Sequence, residues 1–239
     1  MARLLFALCF ALFAAPAAAQ TFNAQEQAEI RAVVREYLVN NPDVLREAID
    51  ALQARTESER WQRIKSDPRD FSMGPADAPI VVVEFFDYRC TFCHAALEWV
   101  ADLARTRRDV RIVLKELPVL GPESREAALA SIAAMPQGRY WTFHQALMSE
   151  RSELTSERID AIARRAGIDV TRMRRAMGSP DIAALLDANL GLAVDISASP
   201  ATPLFMINGE LVSGFNRPLL EQRLREATRA ARERRQASR

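Results

Sequence analysis

The sequence has few of the residues that build disulfide scaffolds and metal centres. Its 239 residues include three cysteines and two histidines. Small exported domains held together by disulfides carry many cysteines along the chain, so that class is excluded. Cys9 lies in an N-terminal apolar run, and Cys90 and Cys93 are three positions apart. A disulfide between these two would close a very short loop and remove little unfolded-state entropy, which favours a chemical role.

The sequence also lacks an excess of charge of either sign. It has 32 basic and 31 acidic residues, for a formal net charge of +1. A protein whose main partner is nucleic acid presents a strong basic field, so the balance argues against that class. Beyond the N-terminal run, no stretch is long and apolar enough to span a membrane.

Residues 1–19 are expected to be a secretory signal peptide. Arg3 supplies the positive charge, an apolar stretch follows, and Ala17–Ala19 supply the small residues that precede a cleavage site. The apolar run is short for a membrane span, although a signal anchor is the alternative. Cleavage would also remove Cys9.

Residues 20–66 are predicted to form a helical extension. Asn23 and Glu26 have the spacing of a capping box. Leu38, Leu45 and Leu52 are seven apart, which indicates helix pairing or oligomerisation. The alternative is an amphipathic helix pair packed on its own domain. A linker rich in Pro, Gly and Asp follows.

Residues 67–239 are predicted to form one α/β domain. An apolar, β-branched strand at 80–86 leads into a helix and a second strand at 109–118, which is a βαβ unit. Residues of about 120–197 have mostly helical patterns. Asn208-Gly209 then predicts a β-hairpin with a type I′ turn, and a helix ends the chain. This order predicts a thioredoxin fold with an inserted helical subdomain.

The motif Cys90-Thr91-Phe92-Cys93-His94 has three chemical interpretations. C-x-x-C-H is the attachment signature of c-type haem, but here the motif connects a buried strand to a helix, which is the context of a redox dithiol. A zinc site would need His94 and His144 at a ligand spacing that they do not have. His94 is expected in the first helical turn and partly exposed, and His144 is expected to serve packing. No metal site is predicted.

The dithiol interpretation has a physical basis at the start of the helix. Unpaired N–H groups and the helix dipole favour a thiolate at Cys90, and a lowered thiol pKa makes a cysteine reactive near neutral pH. Cys93, one turn later, is expected to be shielded. Cys90 would form a mixed disulfide with a substrate, and Cys93 would resolve it.

Two further features accompany the dithiol. Glu84 interrupts an apolar strand six residues before Cys90. A buried carboxyl group there could relay the proton of Cys93, with Lys115 of the next strand as its partner; the alternative is an exposed strand end. Thr202-Pro203 stands directly before the hairpin. A cis peptide bond would fit there, but the sequence does not show it.

Four separated segments resemble the DsbA-like thiol–disulfide oxidoreductases of the bacterial periplasm: "VVVEFFDYRCTFC", "KELPVLGPES", "GRYWTFHQALM" and "TPLFMING". The resemblance covers residues of about 68–232. The segment "REYLVNNPDVLREAIDAL" is similar to the extension of the ScsC (suppressor of copper sensitivity) branch, in which the extension can drive trimer formation.

The resemblance implies a role for each matching residue. Cys90 matches the nucleophile, Cys93 the resolving thiol and Glu84 the buried acid. Pro203 matches the cis-proline beside the dithiol, and the backbone of Thr202 would pair with an extended substrate peptide. The expected partners are periplasmic client proteins with thiols or disulfides, and a membrane thiol donor of the DsbD-like kind. The expected redox group is the Cys90–Cys93 disulfide, with no other cofactor.

The sequence departs from the strong oxidases of this family. Those carry a histidine between the cysteines, where this chain has Thr91 and Phe92. A threonine before the cis-proline is also the isomerase-like choice. Both departures favour an isomerase or a reductase over an oxidase. The rival hypothesis is a copper-handling protein that uses the dithiol as Cu(I) ligands.

Overall fold

The computed structural model describes residues 22–238, so the expected signal peptide lies outside the described residues. The chain divides into two compact units between Ala54 and Arg55. This division lies within a helix and precedes the boundary at residue 66 that the sequence predicted.

The first unit contains helix α1 (Ala24–Asn40) and the first half of helix α2 (Pro42–Lys65), up to Ala54. Asn23 caps α1 and forms the predicted capping box with Glu26, and Pro42 begins α2 as expected. None of the side chains of α1 is buried. The exposed apolar side chains of this unit include Ile30, Val33, Val34, Tyr37 and Ile49. An apolar surface of this kind is typical of a protein contact region.

The second unit contains a five-stranded sheet in the order β1-β3-β2-β4-β5. The strands are β1 (Phe71–Met73), β2 (Ile80–Phe86), β3 (Val110–Glu116), β4 (Leu204–Ile207) and β5 (Glu210–Ser213). Strands β2 and β3 are parallel, and the other neighbours are antiparallel. Every residue of β2 is buried, because the sheet is covered on both faces.

Helices connect and cover these strands. Helix α3 (Thr91–Thr106) joins β2 to β3. The insertion between β3 and β4 contains α4 (Pro122–Ala134), α5 (Tyr140–Ser149), α6 (Ser156–Arg165), α7 (Val170–Ala176) and α8 (Pro180–Ile196), and α9 (Arg217–Ala237) ends the described chain. One face of the sheet packs against α3, α4, α5 and α9. The other face packs against α8 and Ile64 of α2.

The predicted element order is confirmed, including the hairpin. Asn208 and Gly209 both have positive φ, 49° and 97°, as a type I′ turn requires. The prediction of a plain linker before β2 is wrong at one place, because Phe71–Met73 form the edge strand β1. The pairing of β1 with β3 gives this segment a structure that its local composition does not indicate.

Candidate active site

The two cysteines lie where β2 leads into α3. Cys90 is the N-cap residue of α3, and Cys93 lies in its first turn. The first N–H groups of a helix lack intrahelical acceptors, and the helix dipole places positive potential at that end. Cys90 and Cys93 are present as free thiols. A negative charge on Cys90 is therefore stabilised by its position.

Cys90 carries the more acidic thiol. Its pKa is lowered to about 6, chiefly by a hydrogen bond from the Cys93 side chain and also by hydrogen bonds from Thr202 and from backbone groups of Phe92 and Cys93, although burial acts in the opposite direction. Cys90 is therefore mostly a thiolate at neutral pH, and the thiolate is the form that attacks a disulfide.

Cys93 has the opposite tendency. Its side chain is 1% exposed, and burial is the main reason why its pKa is raised. The hydrogen bond to Cys90 and the carboxyl group of Glu84 raise it further. Two thiols one helical turn apart thus differ strongly in acidity, and Cys93 must lose a proton before it can act as a nucleophile.

Glu84 lies in the middle of β2, on the face of the sheet that carries the dithiol. Glu84 is 3% exposed, so the expected burial is confirmed and the alternative of an exposed strand end is wrong. Burial, followed by the charge of Cys90, raises the pKa of Glu84 to about 8. Within residues 22–238, its carboxyl group has no hydrogen bond and no ion pair. Glu84 is therefore mostly protonated at neutral pH and close to its titration range.

The expectation that Lys115 is the partner of Glu84 is wrong. Glu84 is in register with Leu114, and Lys115 is in register with Phe85. Because neighbours along a strand point to opposite faces, Lys115 lies on the far side of the sheet. There its Nζ pairs with Asp70 and donates to Oδ1 of Asn189 at 3.2 Å.

Thr202 and Pro203 lie beside the nucleophile. The Thr202-Pro203 peptide bond is cis, which the sequence left open. The Cys90 thiol donates a hydrogen bond to the Thr202 carbonyl oxygen at 3.1 Å. The structure thus brings Thr202 to the dithiol, although it is more than a hundred positions from both cysteines.

The residues between the cysteines are on the surface. Thr91 is exposed, and Phe92 is 64% exposed. Val119 and Leu120, in the loop after β3, are also exposed apolar residues. The carboxylate of the buried Asp87 accepts hydrogen bonds from the N–H groups of Val119 and Leu120 at 2.8 and 2.9 Å, so the loop after β3 is tied to the turn that carries Cys90.

Asp87 and Glu116 are polar groups that sequence reasoning missed. Glu116 is 2% exposed and accepts hydrogen bonds from the hydroxyls of Tyr88 and Tyr140 at 2.9 and 2.8 Å. Burial raises the pKa of Glu116 well above its ordinary value. The sequence did contain a signal for both, because each acidic residue lies at the end of an apolar strand. Such a signal was considered only for Glu84.

The two histidines have different surroundings. His144 is buried against Phe86, Tyr140 and Trp141, and burial lowers its pKa to about 3, so the packing role is confirmed. His94 is in the first turn of α3 and partly buried, as expected. Its ring nitrogens contact the Tyr88 carbonyl oxygen and the guanidinium of Arg151.

The described part of the chain has neither a metal-binding cluster nor a membrane-spanning helix. No group of three or more His, Cys, Asp or Glu side chains in residues 22–238 is arranged to hold a metal ion. Within the same residues, no helix has the length and apolar character needed to cross a membrane.

Comparisons with known proteins agree with this geometry. A family model described as the DSBA-like thioredoxin domain matches residues 81–225, and one described as the copper resistance protein ScsC N-terminal domain matches residues 26–59. The crystal structure of a thioredoxin-like oxidoreductase from Silicibacter pomeroyi is 34% identical, covers 72% of this chain and 97% of its own, and has a TM-score of 0.66.

The chain is also similar to an ScsC protein and to part of a sodium/proton antiporter. A linker-deletion mutant of Proteus mirabilis ScsC is 26% identical, covers 90% of this chain and 100% of its own, and has a TM-score of 0.65. The Na⁺/H⁺ antiporter NhaA 3 of Salinispora tropica is 34% identical over 147 residues, which are 59% of this chain and 22% of the antiporter. The chain therefore resembles one segment of that longer protein.

The predicted fold class is thus confirmed, and the DSBA-like match covers more than half of the chain. With its reactive Cys90, its buried Cys93 and an N-terminal segment like that of ScsC, the chain belongs to the DSBA-like thioredoxin domain family of thiol–disulfide oxidoreductases.

Proposed function

We propose that this protein is an exported thiol–disulfide oxidoreductase that acts on client proteins as an isomerase or a reductase. The observation that carries the proposal is the difference in acidity between the two thiols, with Cys90 at a pKa of about 6 and that of the buried Cys93 raised. Cys90 is therefore the attacking thiolate, and Cys93 stays protonated until the mixed disulfide has formed.

The reaction follows from this difference. The Cys90 thiolate attacks one sulfur of a client disulfide, which forms a mixed disulfide and releases the other client sulfur as a thiolate. The mixed disulfide removes the Cys90 charge that helps to raise the pKa of Glu84, which favours the Glu84 carboxylate. Cys93 then gives its proton to this carboxylate and attacks Cys90, so the Cys90–Cys93 disulfide forms and the second client thiolate leaves. Two electrons pass from the protein to the client. In isomerisation the client's own thiol attacks the mixed disulfide instead.

The Thr202 carbonyl supports binding of an extended client peptide. When Cys90 is protonated, its thiol donates a hydrogen bond to this carbonyl. Once Cys90 is a thiolate or a mixed disulfide, it no longer donates, and the carbonyl becomes available to a backbone N–H of the client. Thr91 and Phe92 lie on the surface next to Cys90, where they can contact the same peptide.

The direction of electron flow is inferred from the nucleophile and its neighbours. Reference values of the nucleophile pKa are about 7 for thioredoxin and about 3.5 for the strong oxidase DsbA. The value of about 6 for Cys90 is nearer to that of the reductase. Neither Thr91 nor Phe92 has an ionisable side chain that could stabilise the thiolate further.

The proposed setting is the periplasm, after cleavage of the signal peptide at residues 1–19. The proposed partners are client proteins with thiols or disulfides, together with a DsbD-like membrane thiol donor that keeps the dithiol reduced. The near-zero net charge supports the exclusion of nucleic acid. The Cys90–Cys93 sulfur pair carries the electrons, so the reaction requires no other cofactor.

Oligomerisation is proposed for the first unit, with a trimer as one form. Its exposed apolar side chains and its match to the ScsC N-terminal domain support this. Light scattering should compare the mature chain with a variant that begins at Arg55. A truncation at residue 66 would remove Ile64, which is fully buried in the second unit. A monomeric mature chain would contradict the proposal.

Activity assays test the central proposal. The purified protein with both cysteines intact should reduce insulin and restore activity to scrambled ribonuclease, and absence of both activities would overturn it. The reduction potential of the Cys90–Cys93 pair, measured against glutathione, tests the direction separately. A value at the oxidising end would instead support a DsbA-type oxidase.

Copper handling is the second candidate function. The observation that favours it is that residues 26–59 match the N-terminal domain of ScsC, which is described as a copper resistance protein. Thiolates are also suitable Cu(I) ligands. Cys90 and Cys93 would be those ligands. Metal analysis of the protein as isolated separates the candidates, since stoichiometric copper without exchange activity would favour this one.

A further inference from the structure

A concavity of about 500 Å³ lies beside the nucleophile, between the start of α3 and the segment that follows α5. Its walls include Arg89, Thr91 and His94 on one side and Glu150, Arg151 and Glu153 on the other. Because Arg89 and Thr91 flank Cys90 in the chain, a peptide attached to the Cys90 sulfur would be close to this concavity.

The side chain of Arg151 is held in place by His94. Nε2 of His94 lies 2.6 Å from the Tyr88 carbonyl oxygen, which only accepts, so Nε2 carries the hydrogen. Nδ1 of neutral His94 therefore has a lone pair, and it accepts a hydrogen bond from the Arg151 guanidinium, which only donates. His94 thus fixes a cation at the wall of the concavity, and this gives the last residue of the C-x-x-C-H motif a role.

Two other charged groups of the concavity are already engaged. The Arg89 guanidinium donates to the Leu120 carbonyl at 2.8 Å and to the Glu123 carboxylate at 2.9 Å. The Glu150 carboxylate accepts hydrogen bonds from two backbone N–H groups that follow it, each at 3.0 Å. These interactions leave both side chains less available to a ligand.

Arg151 and Glu153 are the charges that remain. Arg151 has no carboxylate within ion-pair distance in the part of the chain that the structure describes. Glu153 is exposed and has no hydrogen bond within the same residues, so it can move away in solvent, whereas Arg151 is anchored. The positive end of α3 adds to the potential on this side. Among the charged side chains of the concavity that have no ion-pair partner in the described residues, the anchored one is therefore Arg151.

We propose that this concavity is a specificity site that binds an acidic side chain of the client, near the client cysteine that Cys90 attacks, through Arg151 with His94 as its positioning residue. A guanidinium matches a carboxylate with two parallel hydrogen bonds. The inference rests on the proposed function, since it names which client disulfides that reaction would favour.

The test uses peptides with one cysteine held as a mixed disulfide with 2-thiopyridine. Attack by Cys90 on the cysteine sulfur forms the mixed disulfide with the peptide and releases neutral thiopyridone, whose absorbance gives the rate. Three peptides differ only in the residues that flank the cysteine, which are Glu, Gln or Lys. The wild-type mature protein should attack the Glu peptide about threefold faster than the Gln peptide, as expected for an exposed ion pair, and the Lys peptide more slowly.

Variants show whether Arg151 causes this preference. Arg151→Gln should bring the Glu/Gln rate ratio to about one, and Arg151→Lys should retain part of it. His94→Phe keeps the charge of Arg151 but removes the group that holds it, so it should lower the ratio less than Arg151→Gln does. Glu153→Gln removes a competing negative charge and should raise the ratio. Arg108→Gln is the matched control. Arg108 is exposed in the turn that follows α3, at the end of the helix opposite to Cys90, so its loss should leave the ratio unchanged. The ratio is used because loss of a cation also changes the reactivity of Cys90 itself.

The outcomes separate the two proposals. If the wild-type protein attacks all three peptides at equal rates, or if Arg151→Gln keeps the preference, this inference is wrong and the proposed function stands. If the wild-type protein releases no thiopyridone from any peptide, Cys90 does not attack disulfides and the proposed function itself is wrong.

Discussion

Each face of the sheet buries an ionisable side chain, but only one of the two side chains has a charged partner among the described residues. On the dithiol face, Glu84 is buried without a hydrogen bond or an ion pair in residues 22–238, and its pKa is raised to about 8. On the other face, Lys115 is fully buried but is paired with Asp70 and bonded to Asn189. The two residues lie in adjacent strands, one register position apart.

The difference separates a reactive group from a structural one. A buried charge is tolerated when it is paired and hydrogen-bonded, and an unpaired buried carboxyl group becomes protonated instead. Lys115 therefore holds β3 to the segment before β1 and to α8. Glu84 is electrostatically coupled to both thiols, and its exchangeable proton lets it act as the acceptor that the proposed reaction needs.

The largest expected effect on the dithiol face comes from Cys93→Ala. The variant should fold normally, because alanine is a small apolar residue, but mixed disulfides formed through Cys90 cannot be resolved. Turnover in insulin reduction should fall to the background rate, and client proteins should remain attached to Cys90. Non-reducing electrophoresis after reaction with periplasmic extract would show the trapped species, and their absence would contradict the mechanism.

The largest expected effect on the other face comes from Lys115→Met. It leaves the buried Asp70 without its cation, and the loss of one partner of a buried ion pair costs about 3–5 kcal/mol of stability. Denaturant unfolding would measure this loss. The second-order rate of Cys90 alkylation should stay unchanged in the folded variant, and a large change in that rate would mean that the two faces are coupled.

Much of this fold was predictable because its signals are local. The apolar strand β2, the helix that Cys90 begins, and the turn at Asn208-Gly209 all follow from short sequence patterns. The edge strand β1 was not predictable, since three residues in a Pro- and Asp-rich segment become a strand only by pairing with β3.

The site was predictable in its chemistry and not in its pairings. The apolar sequences of β2 and β3 favour burial of Glu84 and Lys115, but only the register of the two strands shows that these side chains face opposite ways. Likewise, Arg151 is 57 positions from His94, and no local pattern connects them. Long-range register and loop positions are set by tertiary packing.

Glu84→Gln should sharpen the contrast through its pH dependence. Since the pKa of Glu84 is raised to about 8, the folded state keeps a proton that the unfolded state releases above the ordinary carboxyl pKa. The contribution of Glu84 to the free energy of unfolding therefore falls as pH rises from that range to 8, by about 1.4 kcal/mol for each pH unit. Glutamine cannot ionise, so the stability gained by the variant over the wild type should grow from pH 5 to pH 8.

The same variant should slow the resolving step. Loss of a positioned general base typically costs about 10²-fold or more in rate, and Cys93 would lose the group that takes its proton. Stopped-flow measurement of mixed-disulfide decay would detect this. If the stability difference between the variant and the wild type were the same at pH 5 and pH 8, and the resolving rate were unchanged, Glu84 would be an ordinary polar residue.

The smallest expected effect is a shift in the titration of Cys90. Alkylation by iodoacetamide should have its midpoint near pH 6, the pKa of Cys90, and should fall about tenfold per pH unit below it, because only the thiolate reacts. Cys93→Ala should raise the midpoint, since the hydrogen bond from Cys93 is the main cause of the lowered pKa. Glu84→Gln should leave the midpoint nearly unchanged, because Glu84 is still protonated at pH 6. If Glu84→Gln moved the midpoint as far as Cys93→Ala does, Glu84 would be charged beside the nucleophile, and the contrast between the two faces would have to be explained by pairing alone.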